Sequence, residues 1–425
     1  MDKNTYELYL RILEEELIAA MGCTEPISIA FAASRAAMVL GEEPIKIIAK
    51  CSGNIIKNAM CVTVPNTDGL VGIKASSIIG AIGGDADKGL EVISDVTQEH
   101  KDRTKELMQT DYCVIEKLEG NIPLHIQMEM YSEKHSAMVE IKFAHNNITK
   151  IIKDGNIEFE GEEDPEKYLG VFVDRSILNV KDIYEFSNIV KIEDIKNLMD
   201  KQIEYNMSIS KEGMTGKYGV GIGNIILNTG DKNNIVTKMK AYTSAASEAR
   251  MSGSAMPVMT NSGSGNQGMT VSIPVILYVK EKSMSDEKLY RGLVFSNLMT
   301  IHQKAGIGRL SAFCGSVVGG CAVGAAITYL EGGTLEQIDK TIVNTLANIS
   351  GIVCDGAKPS CGSKIATCID AGMMAHYIAK EDRAYDYNTG IIKNDIEGTI
   401  SAIGRLGKYG MQGTDKEILD IMIED

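Results

Sequence analysis

The sequence holds no tryptophan, 7 phenylalanines and 8 prolines in 425 residues. With so few large aromatics, the core has to be filled by Ile, Leu, Val, Ala and the 22 methionines, and 42 glycines allow backbones to approach closely. Positive charge is also short: 43 Lys and Arg stand against 57 Asp and Glu, a net −14. That deficit argues against nucleic acid or an anionic membrane as the main partner, since both demand clustered cations. The six histidines show no H-x-x-x-H pairing. Neither H-E-x-x-H nor G-x-S-x-G occurs, which removes the zinc-protease and serine-hydrolase readings. The N-terminal MDKNTYELYLRILEEEL is acidic and amphipathic, unlike a secretory leader. Nine cysteines, an odd number, then point to a reducing cytoplasm, where thiols serve metals or catalysis rather than staples.

Long hydrophobic runs are scarce as well. The uncharged stretch that makes the best helical candidate for a span, Leu310 to Leu330, is built of Gly, Ala, Ser and Cys with little Leu or Ile. It reads as a helix buried in a core, not as a bilayer span. Overall, 44% hydrophobic and 24% charged residues describe a globular chain, long enough for two or three domains.

Asn4 is placed to cap a first helix, with Glu7 in capping-box register. Gly22 stops it, and Thr24 and Pro26 open a second helix towards Gly41, leaving Cys23 in the junction. From Glu43 the period shortens: Ile45, Ile47, Ala49 and Cys51 alternate with polar neighbours, as a strand with one wet face does. Residues 111–160 read as an antiparallel meander, with turns at Asn146-Asn147 and Asp154-Gly155. The acidic stretch Gly161–Tyr168 marks a boundary, after which helical patterns dominate. The expected architecture is α+β. A mainly helical catalytic domain, residues 1–42 plus 176–425, carries the chemistry, and an inserted domain, 43–175, contains the antiparallel sheet.

Three stretches could carry chemistry. Cys354 and Cys361 lie in GIVCDGAKPSCGSKIATC, and Cys314 in GRLSAFCGS. Pro359 holds Cys354–Pro359 out of helix, a helix restarts near Ser360, and Cys361 falls in its first turn. Cys314 similarly opens the uncharged helix. Thiolates at helix N-termini are favoured by the dipole and by free N–H groups. Spacing alone is compatible with simple burial or with metal, zinc as well as iron. Cys51, Cys61, Cys113, Cys321 and Cys368 read as small buried apolar residues. In the second stretch, MGCTEP, a thiol at Cys23 just before a helix should ionise readily, with Glu25 as a neighbouring proton carrier. The third, Asn261–Gly268 (NSGSGNQG), precedes an apolar helix and offers backbone N–H groups to an anion such as a carboxylate. Pro274 is expected to kink or interrupt that helix. Gly219-Val-Gly221-Ile-Gly223 imitates a dinucleotide fingerprint but follows no strand. His125 and His145 are expected on strand surfaces or turns, and His302 is the one histidine close in sequence to the Cys314 stretch.

MGCTEPISIAFAASRA, NSGSGNQGMTVSIPV, the stretch leading to LSAFCG, and CDGAKPSCGSKIA, in that order, resemble the L-cysteine desulfidase family, which is related to the alpha part of the iron–sulfur L-serine dehydratases. The likeness runs along essentially the whole chain. It implies a 4Fe-4S cluster held by Cys314, Cys354 and Cys361 with one iron open to substrate, and Cys23 as the active-site base. It also implies conversion of L-cysteine to pyruvate, ammonia and hydrogen sulfide by non-redox β-elimination. The Ser-Ser-His-Thr run of the serine enzymes is missing and the last two ligands stand closer in sequence, which favours cysteine over serine. Ser262, Asn266 and Gln267 are the expected carboxylate contacts, with Arg309 or Lys364 adding positive charge. The alternatives are a serine dehydratase-type lyase on the same cluster and a non-catalytic metal-binding regulator. The expected partner is a small molecule, with neither nucleic acid nor membrane, and Gly/Ala-rich helices would permit a homodimer.

Overall fold

The computed structural model describes residues 1–120, 122–161, 163, 173–308 and 311–424. Its first helix, α1 (Lys3–Glu16), is capped by Asp2, whose carboxylate accepts from the Thr5 N–H, so the start lies two residues before the Asn4 expected from the sequence. A short strand, β1 (Ala19–Met21), precedes α2 (Thr24–Leu40), which ends on Gly41 in the left-handed conformation.

Strand β2 (Lys46–Ser52) leads through α3 (Gly53–Ala59), α4 (Gly72–Gly83) and α5 (Gln98–Met108) to β3 (Cys113–Leu118). Four more strands follow: β4 (His125–Tyr131), β5 (Ser136–Lys142), β6 (Ile148–Lys153) and β7 (Asn156–Glu160). They form one six-stranded sheet in the order β3-β2-β4-β5-β6-β7. The meander expected over 111–160 is realised from β4 to β7. β3 departs from it and runs parallel to β2 (Ile47 opposite Cys113), so the sheet is mixed. A helical crossover between the two strands makes the parallel pairing possible. The alternation reads out directly: Ile47, Ala49, Cys51, Ile126, Met128, Met130, Val139 and Ile141 are all buried on one face. The opposite face carries Lys50 paired with Glu129 at 2.7 Å and Glu140 accepting from Gln127 at 2.7 Å. Helix α2, which the sequence grouped with the helical part, lends Ile27, Ile29, Ala30, Ala33 and Ala36 to this sheet core. Its small residues also let α4 approach closely: a Cβ on Gly80 would lie 2.3 Å from the Ala30 carbonyl oxygen.

The second core is helical. It comprises α6 (Val180–Ile189), α7 (Ile192–Gly213), α8 (Ile222–Thr229), α9 (Ile235–Met251), α10 (Gly265–Glu281), α11 (Asp286–Ile307), α12 (Gly315–Leu330), α13 (Leu335–Ile349), α14 (Cys361–Lys380) and α15 (Ile396–Arg405), while the last helix, α16 (Gln412–Ile423), buries Leu419 in the sheet core instead. The uncharged helix α12 lies inside it, with every residue from Ser316 to Leu330 buried. Its contact with α14 depends on glycine: a Cβ on Gly324 would lie 2.3 Å from the Gly372 carbonyl oxygen. Among the described residues no helix is long and apolar enough to cross a membrane. α10 runs through Pro274 without ending there. The acidic boundary Gly161–Tyr168 falls almost entirely outside the described residues.

Candidate active site

The N-terminal junction and the Asn261 loop are brought together by backbone pairing. β1 forms a two-stranded antiparallel sheet with β8 (Pro257–Met259), with Ala19 opposite Met259 and Met21 opposite Pro257. The chain therefore leaves β1 into Gly22–Pro26 beside the loop that leaves β8 into Asn261–Gly268. Cys23 occupies the position before the first turn of α2 and packs against Val62 and Met251, with Ala357 alongside. Its thiol donates to Glu25 Oε2 at 3.0 Å. Glu25 also accepts from Thr24 Oγ1 at 3.3 Å and from Asn58 Nδ2 on α3 at 3.2 Å.

The proton in this pair sits on sulfur. Burial first, and the Glu25 charge second, push the Cys23 thiol well above its ordinary range. The ready ionisation expected at a helix start is thus overturned: desolvation beside a carboxylate outweighs one helix dipole. Burial also acts to raise Glu25, but His145, the thiol hydrogen bond and Arg250 prevail and leave its carboxyl below the usual value. His145, expected at a turn, does lie in the β5–β6 turn, and it also bears on Glu25. The turn begins at Phe143, a non-glycine residue held at φ +69°, and Ser28 Oγ on α2 donates to the His145 carbonyl at 2.6 Å.

The three motif thiols neighbour one another. Cys314 immediately precedes α12, Cys361 opens α14, and Cys354 lies in the loop before it, as the helix-start reading of the sequence expected. A backbone bridge between Phe313 and Val353 ties the segments: the Cys314 N–H donates to Ile352 O at 3.1 Å and the Cys354 N–H to Ala312 O at 2.6 Å. Burial and then the Cys354 charge raise Cys314. Cys361 is pushed up to about 11 by burial, with Cys354 and Cys314 adding to the rise. Ser316 Oγ lies 2.9 Å from Cys314 Sγ and accepts from the buried Cys368 thiol at 3.2 Å. Lys304 of α11 reaches the same place. It is 7% exposed, it pairs with no carboxylate among the described residues, and burial lowers it to about 8 although Cys354 and Cys314 pull it upward.

Among the described residues no three His, Cys, Asp or Glu side chains converge closely enough to hold a single ion. Neighbouring thiols that do not converge on one point fit a polynuclear group, in which each thiolate takes a different iron. Like-charge repulsion between the thiolates and an unpaired buried ammonium are both relieved by such a group. The three thiols with the ammonium beside them are thus a donor set into which an iron–sulfur cluster fits.

Around the thiols, Asp355 is clasped by Lys358 and Lys364, and Lys364 also donates to Val353 O at 2.9 Å. Lys364, expected to serve substrate, instead has its ammonium committed to the Cys354–Cys361 loop. Arg309, the other cation expected there, lies outside the described residues.

In the Asn261 loop, buried Asn261 accepts from Ser262 Oγ at 2.9 Å and Gln267 Nε2 at 3.0 Å while donating to Asn297 Oδ1 at 3.0 Å. Ser262 sits at φ +50°. Ser264 Oγ caps the Gln267 N–H, whereas the N–H groups of Gly265 and Asn266 meet no acceptor among the described residues. Gln267 Oε1 is buried without a donor among the described residues and lies against Gly315, next to Cys314 (2.5 Å from where a Gly315 Cβ would stand). Arg250, at the end of α9, reaches this loop through Nη1 to Asn266 Oδ1 at 3.3 Å. Arg250, Lys304 and Asn58 escaped the sequence reading because each arrives from a helix that carries no local motif.

Other expectations resolve as structure. His302 is bound to Glu397 at 2.8 Å between α11 and α15. Cys51, Cys113, Cys321 and Cys368 are buried, but Cys61 is exposed, on the turn that follows α3. The Gly219–Gly223 run is closed by Glu248, which accepts from the Val220 and Ile222 N–H groups at 2.7 and 2.9 Å, and it offers no phosphate cradle.

This arrangement of helices and thiols has relatives. The chain belongs to the serine dehydratase alpha chain family, whose model matches residues 87–420, and that family is one of lyase-type enzymes. It is 49% identical over 98% of its length to a UPF0597 protein of Desulfitobacterium hafniense, covering 97% of that protein. It is 44% identical to a UPF0597 protein of Treponema denticola, with both chains covered in full, and 48% identical to one of Lachnoclostridium phytofermentans, over 98% of this chain and all of that one. Cys23 and Glu25 precede the matched family region, whereas Cys314, Cys354 and Cys361 lie within it.

Proposed function

We propose that this protein is an iron–sulfur-dependent carbon–sulfur lyase that converts L-cysteine and water to pyruvate, ammonia and hydrogen sulfide. The observation that carries the reading is the grouping of Cys314, Cys354 and Cys361 with Lys304, which pairs with no carboxylate among the described residues, while Ala357 of the Cys354–Cys361 loop packs beside Cys23, the partner of Glu25. Cys314, Cys354 and Cys361 would hold a 4Fe-4S cluster, and Lys304 would balance its negative charge. When bound, the cluster supplies a Lewis acid at an iron without a protein thiolate, which assists departure of the substrate sulfur.

The chain's own groups do the rest. Glu25 takes the proton of the Cys23 thiol along their 3.0 Å hydrogen bond, and the sulfur so freed accepts the proton from the substrate Cα. The C–S bond breaks, sulfide leaves as hydrogen sulfide, and the enamine tautomerises and is hydrolysed. The first turn of α10 is the seat for the substrate's polar end, with Asn266 and Gln267 at its mouth and Ser262 fixing the loop through Asn261. Cysteine is preferred to serine because the Ser-Ser-His-Thr run of the serine enzymes is absent, with MGCTEP as the reactive N-terminal motif instead, and because the last two ligands stand closer in sequence. The family description nevertheless names serine, so both are assayed.

The test is anaerobic purification, measurement of iron and acid-labile sulfide, and assay of sulfide and pyruvate with L-cysteine and L-serine. Cys354→Ser should lose both iron and activity. An iron-free Cys354→Ser protein that still releases sulfide at the wild-type rate would overturn the reading.

A further inference from the structure

Arg250 is a guanidinium excluded from water, at 7% exposed, with no carboxylate bound to it among the described residues. Its one side-chain hydrogen bond goes to the neutral Asn266 Oδ1, and its buried Nε has no acceptor among the described residues. Glu25 is near enough to feel the charge but forms no ion pair with it. A buried cation without a counter-charge is unfavourable in an empty protein, so the site calls for an anion from outside.

The surroundings define that anion. The guanidinium lies against Gly265 at the start of α10, where a Cβ would stand 2.6 Å from Nε and 2.8 Å from Cζ. Only glycine leaves room for this contact. The N–H groups of Gly265 and Asn266 are open beside it, at the positive end of a 17-residue helix. Close by, on the same turn, Gln267 Oε1 is an orphaned acceptor. Unsatisfied cationic and N–H donors adjoining an unsatisfied carbonyl acceptor complement the two ends of an α-amino acid zwitterion. The acceptor points towards Gly315 beside Cys314, and Met251, the residue after Arg250, packs on Cys23.

We propose that Arg250 is the anchor of the substrate carboxylate, with the first-turn N–H groups of α10 beside it and Gln267 Oε1 receiving the substrate ammonium. The proposal rests on the amino acid lyase reading and names the residue that selects α-amino acids over plain amines and thiols. A guanidinium fork suits this role because it offers two parallel donors to one carboxylate.

The test separates binding from turnover. Calorimetry on the anaerobically prepared wild-type protein, with L-alanine as an unreactive probe and ethylamine as its carboxylate-free counterpart, should show clear preference for L-alanine. Arg250→Gln should weaken L-alanine by about 10- to 100-fold, the range of one charge-assisted contact, without changing iron or acid-labile sulfide content. In the assay the same variant should raise KM for L-cysteine more than it lowers kcat, and its residual kcat/KM towards cysteamine should match that of wild type. Gly265→Ala keeps the charge but displaces the guanidinium, and should reproduce the KM effect, while Arg250→Lys should fall between. Unchanged L-alanine affinity in Arg250→Gln and Gly265→Ala overturns the assignment. So does loss of iron in both variants, since that marks a structural residue. If wild type binds L-alanine through Arg250 yet releases neither sulfide nor pyruvate, the lyase reading fails and the anchor stands.

Discussion

The Cys23–Glu25 pair shows how burial decides which atom holds a proton. A thiol and a carboxylate 3.0 Å apart share one proton, and both burial and the Glu25 charge keep it on sulfur. Glu25→Gln therefore has two effects of opposite sense. It removes the charge that raises the thiol, so Cys23 should be alkylated faster by iodoacetamide at neutral pH. It also removes the group that receives the thiol proton, so lyase turnover should fall by roughly 10²- to 10⁴-fold, the usual worth of a general base. Mass-spectrometric mapping of the alkylated sites, with exposed Cys61 as an internal reference, reads the first effect, and sulfide release reads the second. A variant slower in both would remove Glu25 from the proton path. Residues of this kind were legible in the sequence where chemistry and spacing coincide: Cys23 with Glu25, Cys354 with Cys361 and Asn261 to Gly268. His145, Arg250 and Lys304 were not legible, because what makes them functional is the absence of a partner or the nearness of one far along the chain.

At the scale of elements, the helix starts were the readable part. Pro359 and glycine fixed where α12 and α14 begin, and those starts place Cys314 and Cys361. Missed elements, β1 and β8, are three residues each and exist through mutual pairing rather than through any pattern of their own. The parallel β2–β3 pair was equally hidden, since alternation gives a strand's faces but not its neighbour's direction. Where α13 meets α15, Asp339 of α13 is pushed up to about 7 by burial, with Glu397 of α15 and Glu336 adding, and its Oδ1 has no donor among the described residues. An unfolded aspartate titrates near ~3.9, so the folded state holds this proton more tightly. Its contribution is fully present below about pH 4 and is lost as the pH rises through about 7. Asp339→Asn should then melt higher than wild type at pH 8 and converge with it at pH 4. Thermal melts of the two proteins across that interval check the sign, and a variant less stable than wild type at pH 8 would mean the carboxylate has a role the geometry does not reveal.

For the whole molecule, the question is what keeps two cores in register when the site draws on both. Cys23, Glu25 and Asn58 come from the sheet side, while Arg250, the Asn261 loop and the three motif thiols come from the helical side. The last helix, α16, follows the helical core in sequence yet crosses to the sheet side. Leu419 is buried in the sheet core at 6% exposed, over Gly53, where a Cβ would lie 2.5 Å from Leu419 Cδ2. One turn earlier, Asp415 is paired with Lys57, whose side chain is 3% exposed. Both contacts fall on α3, which also carries Asn58 to Glu25. Leu419→Ala removes the apolar half of this clasp and should cost about 2–5 kcal/mol, as buried leucine truncations do. The loss should not be uniform. With α16 loosened, α3 and the N-terminal junction should exchange amide hydrogens faster than α12 at the centre of the helical core, and turnover should fall at temperatures where iron is still fully bound. Hydrogen exchange, iron content and activity followed together along a temperature series test this. Simultaneous loss of all three would mean that the two cores unfold as one unit and that α16 is merely part of it.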